Sequence, residues 1–141
     1  MCHCMGVKRL EDLAAFQLAV SFKLDVYRLV REHPKAEHNW AFRDQLFGSA
    51  SSVESAITEG WKRYNAAEMA TFLRYARASL AEAERWLHDG VARGYYPSAE
   101  LESALEHAGR CGAAVTNLWK SLQPFINEKK KRGRRRQPPT P

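Results

Sequence analysis

Four long segments of this chain repeat apolar side chains at steps of three and four residues, and this pattern constrains its fold most. The segments cover about residues 10–31, 37–59, 66–89 and 98–125. Such spacing places apolar residues on one face of an α-helix, and no segment shows the sustained period-two alternation of a half-buried strand. Residues that end helices or favour turns separate the segments: Pro34, Gly60, Asn65, Gly94 and Pro97.

The lengths of these segments and of their connections predict the architecture. At 1.5 Å per residue each helix would span roughly 33–42 Å, and matched helices with short loops pack antiparallel. We therefore predict one all-α domain, an antiparallel up-down-up-down four-helix bundle. A three-helix body with an independent first helix is the alternative.

Local signals refine the first three segments. The main stripe of the first is expected to be Leu13, Phe16, Val20, Leu24 and Tyr27, widened by Ala19, Phe22, Val26 and Leu29. Gly60 fits the left-handed position that ends the second helix. Asn65, with Glu68 three residues later, resembles a capping box for the third helix.

The charge of the chain is concentrated in its last residues. Seven positive side chains lie there in a chain of net charge +6, so the remainder is nearly neutral; they are Lys129, Lys130, Lys131, Arg132, Arg134, Arg135 and Arg136. So dense a run of like charges repels itself and is expected to be disordered when free. We expect a flexible N-terminus over residues 1–9, the bundle over 10–127 and a disordered basic C-terminal tail over 128–141.

A basic arm of this kind suits a polyanion, with RNA or DNA the first candidate because neutralised phosphates release counterions. An acidic protein, a membrane surface or a solubilising tail with no dedicated partner are the alternatives. A second candidate set for nucleic acid lies in and around the second and third helices: Arg43, Lys62, Arg63, Arg74 and Arg77. Glu59, Glu82 and Glu84 could pair with this set, which favours a salt-bridged, solvated face.

Sequence signals of catalysis are lacking. No P-loop, Gly-rich dinucleotide turn, HExxH or GxSxG motif occurs, and no Glu-x-x-His pair is present to hold a metal inside a bundle. We expect no enzyme activity, cofactor or metal, and we assign the five histidines to surface or capping positions. Cys2, His3 and Cys4 lack the spacing of a structural zinc site. Cys111 is expected in the core, and the tryptophans and tyrosines are assigned mainly to packing or interfaces, with base stacking as the alternative.

The cysteine count, the apolar stretches and the N-terminal residues indicate a cellular compartment. Three cysteines form no disulfide framework, no stretch has the length of an apolar membrane span, and the N-terminus lacks a secretory apolar region. A cytoplasmic location without a membrane partner is therefore the expectation.

The chain resembles a known family over roughly residues 10–125. The residues that carry the resemblance are Gln45-Leu46, Ala50-x-Ser52-Val53, Ile57-Thr58-Glu59-Gly60 with Arg63, Phe72-Leu73-Arg74-Tyr75-Ala76-Arg77-x-Ser79-Leu80-x-Glu82, Leu10-Glu11-Asp12-Leu13 with Ala19, and Gly94-Tyr95. They are similar to the four helix bundle proteins encoded by intervening sequences in bacterial 23S rRNA genes. Ala56 departs from the pattern, because the family typically has asparagine there.

The resemblance also implies a function. The family is related to the accessory variability determinant of diversity-generating retroelements, a basic, ring-forming bundle that associates with a reverse transcriptase and nucleic acid. It implies a homopentamer, whose five tails could raise avidity for nucleic acid. We expect a non-enzymatic, oligomeric accessory protein that binds RNA or DNA with little sequence specificity. The alternative is a protein-interaction scaffold that docks a reverse transcriptase or another partner.

Overall fold

The computed structural model describes residues 6–135, with side chains to residue 133, and the whole of this region is built from helices and turns. Its α-helices are α1 (Ala14–Glu32), α2 (Pro34–His38), α3 (Trp40–Lys62), α4 (Ala66–Ala92) and α5 (Glu102–Arg135). Short 3-10 turns precede α1 and α5. The short helix α2 was not predicted, and it begins with Pro34 at the first position, where the missing N–H costs no hydrogen bond.

The four long helices form the predicted up-down-up-down bundle. Helix α1 packs against α3 and α5, and α4 packs against the same two helices from the other side. The core takes side chains from each of them, including Phe22, Val26, Leu46, Ile57, Leu73, Leu87, Cys111 and Leu122. Burial of these faces stabilises helices whose own propensity is modest.

The buried face of α1 is rotated from the predicted main stripe. Ala19, Phe22 and Val26 are fully buried, whereas Leu24 is 55 % exposed. The residues expected only to widen the stripe are therefore its centre. A wide apolar stripe does not specify which of its edges meets the core, because that choice depends on where α3 and α5 lie.

Gly60 does not end α3, which corrects the sequence prediction. It lies inside the helix, and a Cβ there would fall 2.6 Å from Met69 Sδ and 2.9 Å from Phe72 Cβ. Glycine is thus needed because α4 approaches α3 closely at this point. The left-handed residue of the turn is Tyr64, with φ of 51°. Asn65 then caps α4 as predicted, since its Oδ1 accepts hydrogen bonds from the backbone N–H groups of Ala67 and Glu68.

The positive φ of Tyr64 leads to a stability prediction. A Cβ in the left-handed region costs about 1–2 kcal/mol, and glycine avoids this cost. We expect Tyr64→Gly to have a free energy of unfolding about 1 kcal/mol higher than Tyr64→Ala, because both variants lose the ring and only alanine keeps the Cβ. Urea denaturation of the two variants measures the difference, and a more stable alanine variant would contradict it.

Helix α5 is longer than predicted. The sequence interpretation ended it near Phe125, whereas the helix continues to Arg135 and so includes the first part of the basic tail. The greater length of α5 has a physical reason: glutamate, lysine and arginine are good helix formers, and the preceding helix has already met the cost of nucleation. Positive charges near a helix C-terminus also interact favourably with its dipole. Residues 136–141 and 1–5 lie outside the described region, and partly buried Val7 packs on the core.

Candidate nucleic-acid interface

The basic extension of α5 lies at the end of the bundle where α3 ends and α4 begins. A groove there is lined on one side by Tyr64 and Asn65 and on the other by Phe125, Lys129 and Lys130. Residues 129–133 are exposed, and none of them packs in the core. The antiparallel bundle thus brings the C-terminal basic residues next to the turn between α3 and α4.

Two members of the second candidate set share this end of the bundle. Lys62 and Arg63 immediately precede Tyr64, and both are exposed. Arg63 bonds to Glu59 at 3.0 Å and also lies over the Phe72 ring. We call the surface formed by Lys62, Arg63 and residues 129–132 the basic end.

The structure does not bring Arg43 to the basic end. Arg43 is in the first turn of α3, roughly 30 Å from Arg63 at 1.5 Å per residue. Its guanidinium pairs with Asp44 at 3.5 Å, donates to the Glu37 carbonyl at 3.3 Å and lies over the Trp40 ring. These contacts give Arg43 a local structural role at the opposite end of the bundle.

Arg74 and Arg77 lie on the exposed side of α4, about two to three turns beyond Asn65. The sequence suggested that Glu82 and Glu84 could neutralise them. None of the ion pairs formed within residues 6–133 includes Arg74, Arg77 or Lys62, nor either of those glutamates. The expected salt-bridged face is therefore present only in part, at Arg63 and Arg43.

Six of the seven C-terminal basic residues lie on α5. Lys129, Lys130, Lys131 and Arg132 are exposed on α5. Arg134 and Arg135 belong to the same helix, and Arg136 lies outside the described residues. Successive residues of a helix point about 100° apart, so Lys129, Lys130, Lys131 and Arg132 present positive charge around most of the helix.

A second polar cluster joins α1 to α5. Asp25 Oδ2 accepts a hydrogen bond from Ser103 Oγ at 2.8 Å and pairs with His107 Nδ1 at 2.6 Å, and His33 pairs with Glu100 nearby. Ser103 and His107 therefore contact the same carboxylate oxygen of Asp25. The cluster clamps the two helices together. Sequence reasoning missed it because Asp25 and His107 are 82 residues apart.

Cys111 is a core residue, as expected. It is fully buried, and its Sγ contacts the Ala15 carbonyl oxygen at 3.7 Å. Burial raises the pKa of the thiol from its ordinary value of 9.0 to about 11, because the thiolate loses its hydration. This direction is opposite to that of an activated cysteine nucleophile.

The raised pKa of Cys111 predicts a pH dependence of stability. Between about pH 9 and pH 11 the unfolded chain loses the thiol proton while the folded chain keeps it, so stability falls as pH rises. The full loss for this group is roughly 2–3 kcal/mol. Urea denaturation from pH 8 to pH 10 should show a flatter profile for Cys111→Ala than for the parent, and identical slopes would contradict the assignment.

Two further observations concern membranes and metals. Within residues 6–135 no helix is both long and apolar enough to cross a bilayer. In the same part of the chain, histidine, cysteine, aspartate and glutamate side chains form no group of three that could hold a metal ion.

Comparison with known proteins gives one match. The sequence model of a family described as 23S rRNA-intervening sequence protein matches residues 11–117. The matched region includes α1, α3, α4 and the first half of α5, and it ends before the basic extension. A comparison with curated proteins finds no match.

Proposed function

Because the chain belongs to the 23S rRNA-intervening sequence protein family, we propose that it is a non-enzymatic nucleic-acid-binding accessory protein that works as an oligomer. The bundle supplies the assembly surface, and the basic end contacts phosphates of RNA or DNA. The family resemblance supports the architecture, and the surface charge supports the ligand.

The single observation that carries this proposal is the gathering of positive side chains at one end of the bundle. Lys129, Lys130 and Lys131 are exposed on the α5 extension, and Lys62 lies beside the adjacent turn without a carboxylate partner among the described residues. Clustered, exposed and mostly unpaired cations attract a polyanion and release its counterions on binding.

The helical extension affects how nucleic acid would be read. Lysine and arginine around a single exposed helix contact phosphates, which fix position but carry no sequence information. We therefore expect binding that varies little with sequence. Arg74 and Arg77, farther along α4, would extend the track for a longer nucleic acid.

Salt dependence tests this proposal. If all seven C-terminal charges engage phosphates, the slope of log affinity against log salt concentration should approach about −6 on duplex DNA, at ~0.9 per contact. Fluorescence anisotropy of the full chain with labelled duplex DNA, across a salt series, measures the slope. A slope near zero would remove phosphate contacts as the basis of binding.

Oligomerisation is the second part of the proposal. A closed ring, such as the pentamer that the resemblance implies, would place several basic ends on one nucleic acid and raise avidity. Light scattering of the full chain at micromolar concentration tests it. A mass near 16.1 kDa, that of one chain, would contradict the ring.

A protein-interaction scaffold is the second candidate, and exposed apolar side chains favour it. Leu24 and Trp40 lie on the surface of α1 and at the start of α3, away from the basic end. Tryptophan is enriched in protein–protein interfaces relative to the rest of the protein surface. A reverse transcriptase or another partner could dock there. In that case a chain ending at Glu128 would keep its partner, whereas Leu24→Ser would lose it.

A further inference from the structure

We propose that the groove between the α3–α4 turn and α5 holds an unpaired nucleotide, with its base stacked on Tyr64 and Phe125 and its phosphates on Lys129 and Lys130. The inference rests on the proposed function and names the form of nucleic acid that this site takes. It assigns a single-stranded or looped segment to the groove and leaves paired regions to the surrounding basic surface.

The groove has a size and lining that suit one nucleotide. Its volume is about 320 Å³, within the range of small-molecule sites. Phe125 and Lys129 are four residues apart on α5, as are Ile126 and Lys130, so each pair shares a face of the helix. Both lysines therefore stand one turn beyond an apolar side chain on the wall of the groove.

Two aromatic rings at this groove are exposed without a packing reason. Tyr64 is 65 % exposed and Phe125 is 48 % exposed. Neither ring belongs to the aromatic pairs formed within residues 6–133. Exposed rings beside lysines are the combination that binds unpaired bases, since every base has a face to stack and a phosphate to neutralise.

The backbone at Tyr64 adds a separate argument. A tyrosine with φ of 51° occupies a conformation that glycine or asparagine would adopt at lower cost. The turn geometry alone therefore does not account for a large ring at this position. Strained residues of this kind concentrate at functional sites, where the side chain serves a purpose other than stability.

The positive charges of Lys129 and Lys130 favour a nucleotide over an apolar peptide as the ligand of the groove. An apolar peptide would fill the space beside Phe125 and Ile126, but it would leave the ammonium groups of Lys129 and Lys130 without an anion. A nucleotide satisfies both features, because its base covers the rings and its phosphates reach the lysines. Duplex nucleic acid satisfies only the lysines, since its bases are stacked within the helix.

The test compares two probes and two double variants. The probes are a fluorescein-labelled oligouridine, which is largely unpaired, and an RNA duplex of the same length. The site variant is Tyr64→Gly with Phe125→Ala, and the matched control is Trp40→Ala with Tyr75→Ala, which removes two exposed rings elsewhere. Urea denaturation confirms that both variants fold, and glycine at position 64 also relieves the positive φ.

The expected result is a loss of oligouridine affinity of about tenfold or more for the site variant, with less than about a twofold change for the control. Duplex binding and its salt slope should remain unchanged in both, because no cation is altered. Tyr64→Trp with Phe125→Tyr keeps two rings and should retain oligouridine binding.

Other outcomes separate this inference from the proposed function. If the site variant binds both probes as the parent does, or loses affinity for both equally, the groove is not a nucleotide site and phosphate binding stands. The groove is likewise not a nucleotide site if the parent binds the duplex more tightly than oligouridine and the site variant keeps the parent's affinity for oligouridine. If the parent binds neither probe at low salt, both proposals fail.

Discussion

Replacing Lys129, Lys130 and Lys131 with glutamine should weaken duplex DNA binding about a hundredfold near physiological salt. Each phosphate contact contributes ~0.9 to the slope of log affinity against log salt, so three contacts remove about 2.7 from it. If the variant and the parent bind equally at 1 M salt, this difference in slope lowers the affinity of the variant by roughly two orders of magnitude near 0.15 M. Glutamine propagates helices well, so α5 should persist and the effect can be assigned to charge.

A matched control separates location from total charge. Arg31, Lys35 and Arg110 are also exposed, and they lie at the far end and in the middle of the bundle. Changing these three to glutamine lowers the net charge by the same amount. We expect their variant to keep a slope close to that of the parent. Equal losses for the two triple variants would mean that overall charge, and not the basic end, governs binding.

Substituting Gly90 with alanine should lower the free energy of unfolding by about 2–4 kcal/mol. A Cβ there would fall 2.1 Å from Tyr96 Oη and 2.9 Å from Phe42 Cζ. Tyr96 is buried, and its hydroxyl donates to the Leu87 carbonyl at 2.9 Å, tying the loop before α5 to the last turns of α4. Displacing the ring costs both core packing and this hydrogen bond.

Gly109 provides the control for this effect, because it is helical and exposed and a Cβ there would meet nothing within 4 Å. Gly109→Ala should raise the free energy of unfolding by about 0.5–1 kcal/mol, because alanine is the better helix former. In chemical denaturation the two substitutions should have opposite signs. A neutral Gly90→Ala variant would contradict the close packing of Tyr96.

A double-mutant cycle identifies which neighbour of position 90 causes the loss of stability in Gly90→Ala. With Tyr96→Ala the space beside position 90 opens, so adding Gly90→Ala should then cost much less than it does in the parent. Strictly additive losses would place the strain elsewhere, for example against Phe42.

The fold was predictable because its signals are local and repeated. Each signal lies within a few helical turns of sequence: the four apolar stripes, the residues that end helices between them, and the Asn65 cap. The structure confirms the bundle and the cap. The rotation of α1 was not predictable, since Leu24 and Phe22 are both apolar and only the positions of neighbouring helices decide which is buried.

Other errors arose where distant residues decide the outcome. Gly60 looked like a helix terminator, but its role depends on Met69 and Phe72 of the next helix. The clamp between Asp25 and His107 leaves no trace in local spacing. The extension of α5 follows from the helix propensity of lysine and arginine, which here outweighs the mutual repulsion of their charges.

The candidate site combines a predicted part and an unpredicted part. The basic residues were evident from the sequence, because charge density needs no fold to be recognised. Their proximity to Tyr64 depends on the bundle topology, which returns the end of α5 to the α3–α4 turn. The exposure of Phe125 depends on the same geometry.

The most direct test of the central claim is binding of one structured RNA, across a salt series, by the full chain and by a chain ending at Glu128. The removed residues are exposed as far as residue 133, so the bundle should remain folded. The account predicts steep salt dependence for the full chain and loss of most binding and slope for the shortened one. Equal affinities and slopes for the two chains would contradict it and move the site onto the body of the bundle.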